Sequence, residues 1–256
     1  MEQEQSTSPS RSLDRVGQVL EYITQSGTGY TLTELQDYTA IPRSSLYTLL
    51  GSLIDQEMLK RESGGKFMAG PALIRWGARL IQRLDLRDVA RPWMAMLAQQ
   101  TGFVVNLAEL DADRKDIVFV AKEQSQRFPT TSQVGTHLRL HSTASGKVIL
   151  AHATMEWRGR YLAGPLVAKT PSTCTDPALL TEELQQIRKQ GWSEDHEENE
   201  IGVCAIGAPI RNYTGHVIAT LSVAWPSEYF GEYRRSIIEG TISTARLISR
   251  ELGAEG

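Results

Sequence analysis

The sequence predicts an α+β protein. It should hold a small helical domain closed by a two-stranded hairpin, one longer helix, and a mostly antiparallel sheet covered by helices. Three observations carry this. Apolar residues recur at helical spacing in Leu13–Ile23 and in Ile41–Leu53. Two short apolar-polar runs, Leu59–Arg61 and Lys66–Met68, flank Glu62–Gly65, a turn composition that reads as a hairpin. Beyond Gln100, helical and strand-like runs alternate, with a tight turn at Asn212–Gly215.

Taken in order, Met1–Ser10 is polar and is expected to be a disordered tail. The first helix carries Leu13, Val16, Val19, Leu20 and Ile23 on one stripe and stops at Gly27 and Gly29. Thr31 and Thr33 offer caps for a short helix, Thr33–Tyr38, and Thr39–Ile41 turns. Pro42 then takes the first position of a third helix, where its missing N–H is harmless. Leu46, Leu49, Leu50 and Leu53 form its buried stripe, leaving Arg43, Ser44, Tyr47 and Thr48 on the other faces. Three helices and a hairpin over residues 11–70 make a winged helix-turn-helix. The same periodicity equally fits a small helical domain with no DNA role.

Pro71–Leu86 reads as a longer helix within a linker at 71–88. Leu73, Gly77, Leu80 and Leu84 keep coiled-coil spacing, and Ile74 and Ile81 widen the apolar face. That stripe points to a partner subunit. Arg91-Pro92 marks the next boundary, so the last domain is expected over 89–256. Helices are expected there at Val89–Gln100, Ser145–Ala153, Glu156–Leu162, Pro177–Lys189 and Ser227–Leu252. The strands are Phe103–Leu110, Ile117–Lys122, Val203–Arg211 and Val217–Ala224.

Composition narrows the function classes. The 256 residues, 41% hydrophobic and 22% charged, suit a globular protein large enough for two domains. Met1–Arg11 shows no secretory signal, no run reaches membrane-spanning length, and two cysteines fit a reducing compartment, so a cytoplasmic protein is expected. A net charge of −3 argues against wholesale nucleic-acid binding. Between Ile41 and Leu80, however, Arg43, Lys60, Arg61, Lys66, Arg75 and Arg79 outnumber Asp55, Glu57 and Glu62.

Enzyme signatures are incomplete. His196-Glu197 begins a zinc-protease motif, but Glu200 stands where the second histidine belongs, in a segment that reads as a loop. His137 and His141 are four apart without a carboxylate at ligand spacing, and Cys174 and Cys204 lack a neighbouring base. Neither a cofactor nor a metal is expected.

Two C-terminal segments remain. In Leu140–Ala151, LHSTASGKVILA, Ser142 or Thr143 can cap a helix whose first residues, Ala144, Ser145 and Gly146, let a ligand approach its free amides. In Gly191–Pro209, GWSEDHEENEIGVCAIGAP, an acidic run leads into a small-residue strand. By itself that run fits a solvated loop better than a polar pocket. With the helix-turn-helix candidate, the two segments resemble the isocitrate lyase regulator (IclR) family of bacterial transcription factors, from about Leu13 to Gly253.

The resemblance implies a ligand-responsive regulator with a GAF-like C-terminal domain. It implies a homodimer or homotetramer on a palindromic operator in double-stranded DNA, without membrane association. The effector would be an organic acid, sugar acid or aromatic metabolite, with a carboxylate preferred. Carried over by motif, DNA contacts fall on Arg43, Ser44, Ser45, Tyr47 and Thr48, and on Lys60, Arg61 and Lys66 in the wing. The effector positions are Ala144, Ser145, Asp195, Ala205, Ser222 and Ala224. Some members have cysteine at Ala205 and serine at Ala224, so a ligand larger or less polar than a two-carbon keto acid is implied here. Many have arginine at Thr48, so operator preference should differ. The rival reading is a metabolite-binding protein whose N-terminal domain contacts protein.

Overall fold

A computed structural model describes residues 11–124 and 133–255, so the tail expected at Met1–Ser10 lies outside the described residues. The chain divides into two compact units, one ending at Leu84 and the other beginning at Asp85.

In the first unit, α1 (Arg11–Gln25), α2 (Leu32–Thr39) and α3 (Arg43–Asp55) enclose Val19, Ile23, Leu35, Leu46, Leu50 and Leu53. Thr31 starts α2 through a capping box: its hydroxyl accepts the Glu34 amide, and Glu34 Oε2 accepts the Thr31 amide at 2.7 Å. Ala40 ends α2 in the left-handed region at φ 53°, which gives the sharp turn into α3. Pro42 is the N-cap of α3 and not its first helical residue, a one-position correction; its carbonyl accepts the Leu46 amide. The hairpin forms as β1 (Leu59–Arg61) against β2 (Phe67–Ala69), and Phe67 pairs with Tyr30 through both backbone groups.

The longer helix, α4, spans Pro71–Arg83 and stops short of the expected Leu86. Asp85 accepts the Arg87 amide at 2.9 Å and caps a new helix, α5 (Leu86–Thr101). The boundary expected at Arg91-Pro92 therefore falls inside α5. Proline removes one helical hydrogen bond, but α5 is held by burial of Ala90, Met94 and Leu97.

The second unit is built on a six-stranded antiparallel sheet of order β5-β4-β3-β8-β7-β6. Its strands are β3 (Val104–Leu110), β4 (Asp116–Glu123), β5 (His137–Arg139), β6 (Ser193–His196), β7 (Val203–Arg211) and β8 (Val217–Pro226). Alternation sends Leu221, Val223 and Trp225 of β8 to one face, where they pack with α5 and α9 (Phe230–Glu251). On the other face α6 (Ala144–His152) and α8 (Pro177–Gln190) pack with Ala108, Ile117 and Phe119, with α7 (Met155–Leu162) alongside. The edge strands β5 and β6 were not expected. Both are short and charged, as edges tend to be, and β6 occupies the acidic run that reads as a loop in sequence.

Candidate functional site

Register places the site. Across β6, β7 and β8, Asp195 pairs with Ala205 and Ala205 with Ala224. In the next row Gly207 pairs with Ser222, and Ser222 with Asn106 of β3. These residues share the sheet face on which α6 packs.

Two glycines let α6 begin there. A Cβ on Gly146 would sit 2.3 Å from the Leu140 carbonyl oxygen, and one on Gly207 would sit 2.9 Å from the Ala144 carbonyl carbon. The smallness of Gly146 thus serves close packing of backbone on backbone, whereas the sequence suggested access for a ligand. Thr143, not Ser142, caps α6, its hydroxyl accepting the Gly146 amide at 3.0 Å. Ser193 donates to the Ala144 carbonyl at 2.5 Å and pins the helix start to β6.

A cavity of about 180 Å³ lies over this arrangement, lined by all six residues carried over by motif: Ala144, Ser145, Asp195, Ala205, Ser222 and Ala224. Ile117, Phe119, Leu138 and Val203 form an apolar wall. Asn106 also lines it and went unnoticed in sequence, although an asparagine within VVNLA is as odd an inclusion as Ser222 within TLSVAW. Asn106 and Ser145 are 2% exposed, and among the described residues neither Asn106 Oδ1 nor Ser145 Oγ has a hydrogen-bond partner. A buried polar atom left unpaired costs roughly 1–3 kcal/mol. Such atoms facing a cavity are the mark of a place where a polar ligand or water is received.

Asp195 is 5% exposed. Burial first, and the Glu198 carboxylate second, push its pKa up to about 7; two backbone N–H groups and Lys147 offset only part of this. Lys147 is fully buried, its Nζ donating to Glu183 and Glu198 at 2.5 Å each. Burial alone would lower the Lys147 pKa, but the two carboxylates outweigh it and the ammonium is held charged. Burial raises the Glu198 carboxyl despite Lys147. Thr170 and Thr173 donate to the Glu197 and Glu198 carbonyls at 2.6 Å, so the acidic turn is braced from outside as well.

The other chemistry-bearing groups lead elsewhere. His141 is buried and bonds Tyr161 and the Val167 carbonyl, while exposed His137 lies 3.7 Å from Asp111. Asp111, Asp116 and His137 each bring a ligand-type atom within 4.8 Å of the others, with Arg139 already beside Asp116. Burial pushes the Cys204 thiol to about 12, which removes it as a nucleophile.

In the first unit, Arg43, Ser44, Tyr47 and Thr48 are exposed along α3, whereas Ser45 is half-buried. The Thr48 hydroxyl donates back to the Ser44 carbonyl at 3.1 Å. In the hairpin Lys60 pairs with Glu62 at 2.8 Å, Arg61 lies over the Phe67 ring, and Lys66 is half-buried.

A helix-turn-helix unit followed in one chain by a pocket-bearing sheet domain is the architecture of a bacterial transcriptional regulator. The chain belongs to the IclR family of these proteins: the IclR helix-turn-helix domain matches residues 12–63, and the bacterial transcriptional regulator IclR C-terminal domain matches residues 78–250. It is 32% identical over 247 residues to the HTH-type transcriptional regulator BhcR of Paracoccus denitrificans, covering 93% of this chain and 86% of that one. The crystal structure of the Agobacterium tumefaciens repressor BlcR superposes with a TM-score of 0.84 at 25% identity, covering 98% and 100% of the two chains. An IclR homologue from Microbacterium hydrocarbonoxydans, solved with 4-hydroxybenzoate, gives 0.61 at 27% identity over 94% and 98%. The relatives are regulators and not enzymes, and no described helix is long and apolar enough to cross a membrane.

Proposed function

We propose that the protein is a cytoplasmic homo-oligomeric regulator that binds a palindromic operator and is controlled by a small carboxylic acid held in the cavity over α6. The observation that carries this reading is the pair of buried, unpartnered polar atoms, Asn106 Oδ1 and Ser145 Oγ, facing a cavity that also holds Asp195. A ligand carboxylate suits the amide end of α6. Ser222 and Asn106 suit a hydroxyl or carbonyl further along, and the Ile117–Phe119 wall suits a ring or branched chain. About 180 Å³ is the room of roughly six liquid waters, which favours a compact acid. The neighbour solved with 4-hydroxybenzoate supports an acid of that kind. Arg43, Ser44, Tyr47 and Thr48 are the proposed operator contacts on α3, with Lys60, Arg61 and Lys66 in the wing. Ser45 is the weakest of the set because it is half-buried.

The test is a thermal-shift screen of carboxylic and sugar acids, followed by calorimetry and gel shift on the chain's upstream DNA. A true effector should bind wild type, lose affinity in Asp195→Asn and Ser222→Val, and shift operator affinity roughly 5–150-fold in wild type. Wild-type effector affinity in both variants would place the pocket elsewhere.

A further inference from the structure

We propose a second small-molecule site in the C-terminal unit, an arginine-lined groove between the free end of β7 and α9 that takes a phosphorylated metabolite. Among the described residues β6 pairs with β7 from Cys204 to Gly207, so β7 runs on from Ala208 to Arg211 with no strand paired on that edge. Pro209 stands on this stretch, where its missing N–H leaves no orphan donor. A cavity of about 490 Å³ opens there, with Ala208, Ile242 and Ala245 as its apolar lining and Arg211, Arg246 and Arg250 as its cations.

Arg211 is half-buried at the end of β7, while Arg246 and Arg250 stand exposed on the α9 side of the groove. Ser249 accepts the Arg211 amide at 2.9 Å and donates to the Ala245 carbonyl at 2.7 Å, which locks the end of β7 onto α9. Arg246 and Arg250 are one helical turn apart and so share a face of α9. Arg188, near the end of α8, is close enough to add to the positive field at Arg211.

Cations crowded this way normally come with carboxylates. Here, among the described residues, Arg188, Arg246 and Arg250 form no ion pair, and the Arg211 guanidinium meets only the Gly215 carbonyl, at 2.9 Å. Among the described residues Glu255 is the one carboxylate in the lining, and it forms no ion pair with these arginines. Burial first, and Arg188 second, lower the Arg211 pKa; burial, then Arg211 and Arg188, lower that of His152. Helix-end dipoles account for Arg188 and Arg250, each in the last turn of its helix. They do not account for Arg211 on a strand or Arg246 a turn further in. An anion with several oxygens supplies the missing charge. A phosphate dianion meets guanidinium forks lining one groove better than a singly charged carboxylate does.

Calorimetry on the full-length protein with pyrophosphate, at ionic strength matched with potassium chloride, tests this. Wild type should bind, and Arg211→Gln or the surface pair R246Q with R250Q should weaken binding at least about tenfold. The surface pair guards against misfolding of the strand variant. Asp195→Asn should bind pyrophosphate as wild type does, since that residue lines the other cavity. The proposal fails if wild type shows no binding beyond the chloride control. It fails if the arginine variants bind normally, or if Asp195→Asn abolishes binding. It also fails if sedimentation shows the arginine variants changing oligomeric state with pyrophosphate affinity intact, because the groove would then be a subunit contact.

Discussion

Asp195 Oδ1 accepts the backbone N–H of Glu198 at 2.7 Å, and the side chain of that same Glu198 holds Lys147 Nζ at 2.5 Å. One turn thus ties the carboxylate in the cavity to the start of α6. The cluster carries more acid than base, with Asp195, Glu198 and Glu183 around a single lysine.

That balance predicts a pH effect on stability. The folded pKa of Asp195, about 7, lies above its unfolded value, so the native state binds the extra proton between the two. Its stabilising contribution is full below about pH 4 and is lost as pH rises through 7. Asp195→Asn keeps an acceptor for the Glu198 amide and removes the charge. Its unfolding free energy relative to wild type should therefore improve from pH 5 to pH 8, by about 1–3 kcal/mol. Urea titrations at the two pH values check this, and an equal difference at both would remove the proton from the account.

Lys147→Met would leave Glu183 and Glu198 without their cation. Breaking a buried pair costs about 3–5 kcal/mol, against about 0–1 for a surface pair. Glu183 is partly open to solvent, which places the expected loss near the lower figure. Adding Glu198→Gln to Lys147→Met should restore part of it. No recovery in the double variant would mean that Lys147 acts through packing.

Much of this was legible in sequence, and the failures share a cause. Helices with a clean apolar stripe, such as α1 and α3, were placed to within about two residues because burial follows period 3.6. The strands β5 and β6 escape a sequence reading because polar segments of three and four residues at a sheet edge carry no apolar alternation. The break at Asp85 is hidden in the sequence because a capping aspartate is decided by its bond to Arg87, whereas Pro92 is tolerated inside α5. The cavity residues came from motif and not from physics: Ala144, Ala205 and Ala224 have no chemistry to read. Asn106 could have been found as a polar residue inside an apolar strand. The buried role of Lys147 could not, since Glu183 and Glu198 are far from it in sequence.

Gly146→Ala tests whether α6 is seated by close contact. The added methyl would lie 2.3 Å from the Leu140 carbonyl oxygen, on backbone that cannot rotate away. Destabilisation of about 1–3 kcal/mol is expected from such overpacking, with weaker binding of any cavity ligand. Gly17→Ala, where a Cβ meets nothing within 4 Å, should be neutral or slightly stabilising. Similar denaturation midpoints for the two variants would refute the seating argument.

The proposed operator reading rests on α3. Arg43 is exposed at its N-terminal end, where recognition helices concentrate contacts. Arg43→Ala should weaken operator binding by about 1–3 kcal/mol and relax preference at one position if it reads a base. Lys66→Ala should weaken all sequences evenly and flatten the salt dependence. Gel shifts on operator and scrambled duplexes over a salt series separate the two, and wild-type binding by both would detach this face from DNA.

Helix α4 carries an exposed apolar stripe. Ile74 is 71% exposed and Leu80 68%, and Trp76, Ile81 and Leu84 are exposed beside them. Only Ala72 of this helix is buried. A contiguous apolar face on a helix is unfavourable in water and is normally covered by a partner. A second copy of the same helix offers a matching stripe, which is why a homo-oligomer is expected. Leu80→Glu puts a charge in the middle of that stripe, where the isolated chain already tolerates solvent, so the fold itself should survive. Sedimentation should then report a smaller species with unchanged circular dichroism, and operator affinity should fall because paired half-sites need paired domains. If Leu80→Glu sediments with wild-type mass, the stripe is not the subunit contact.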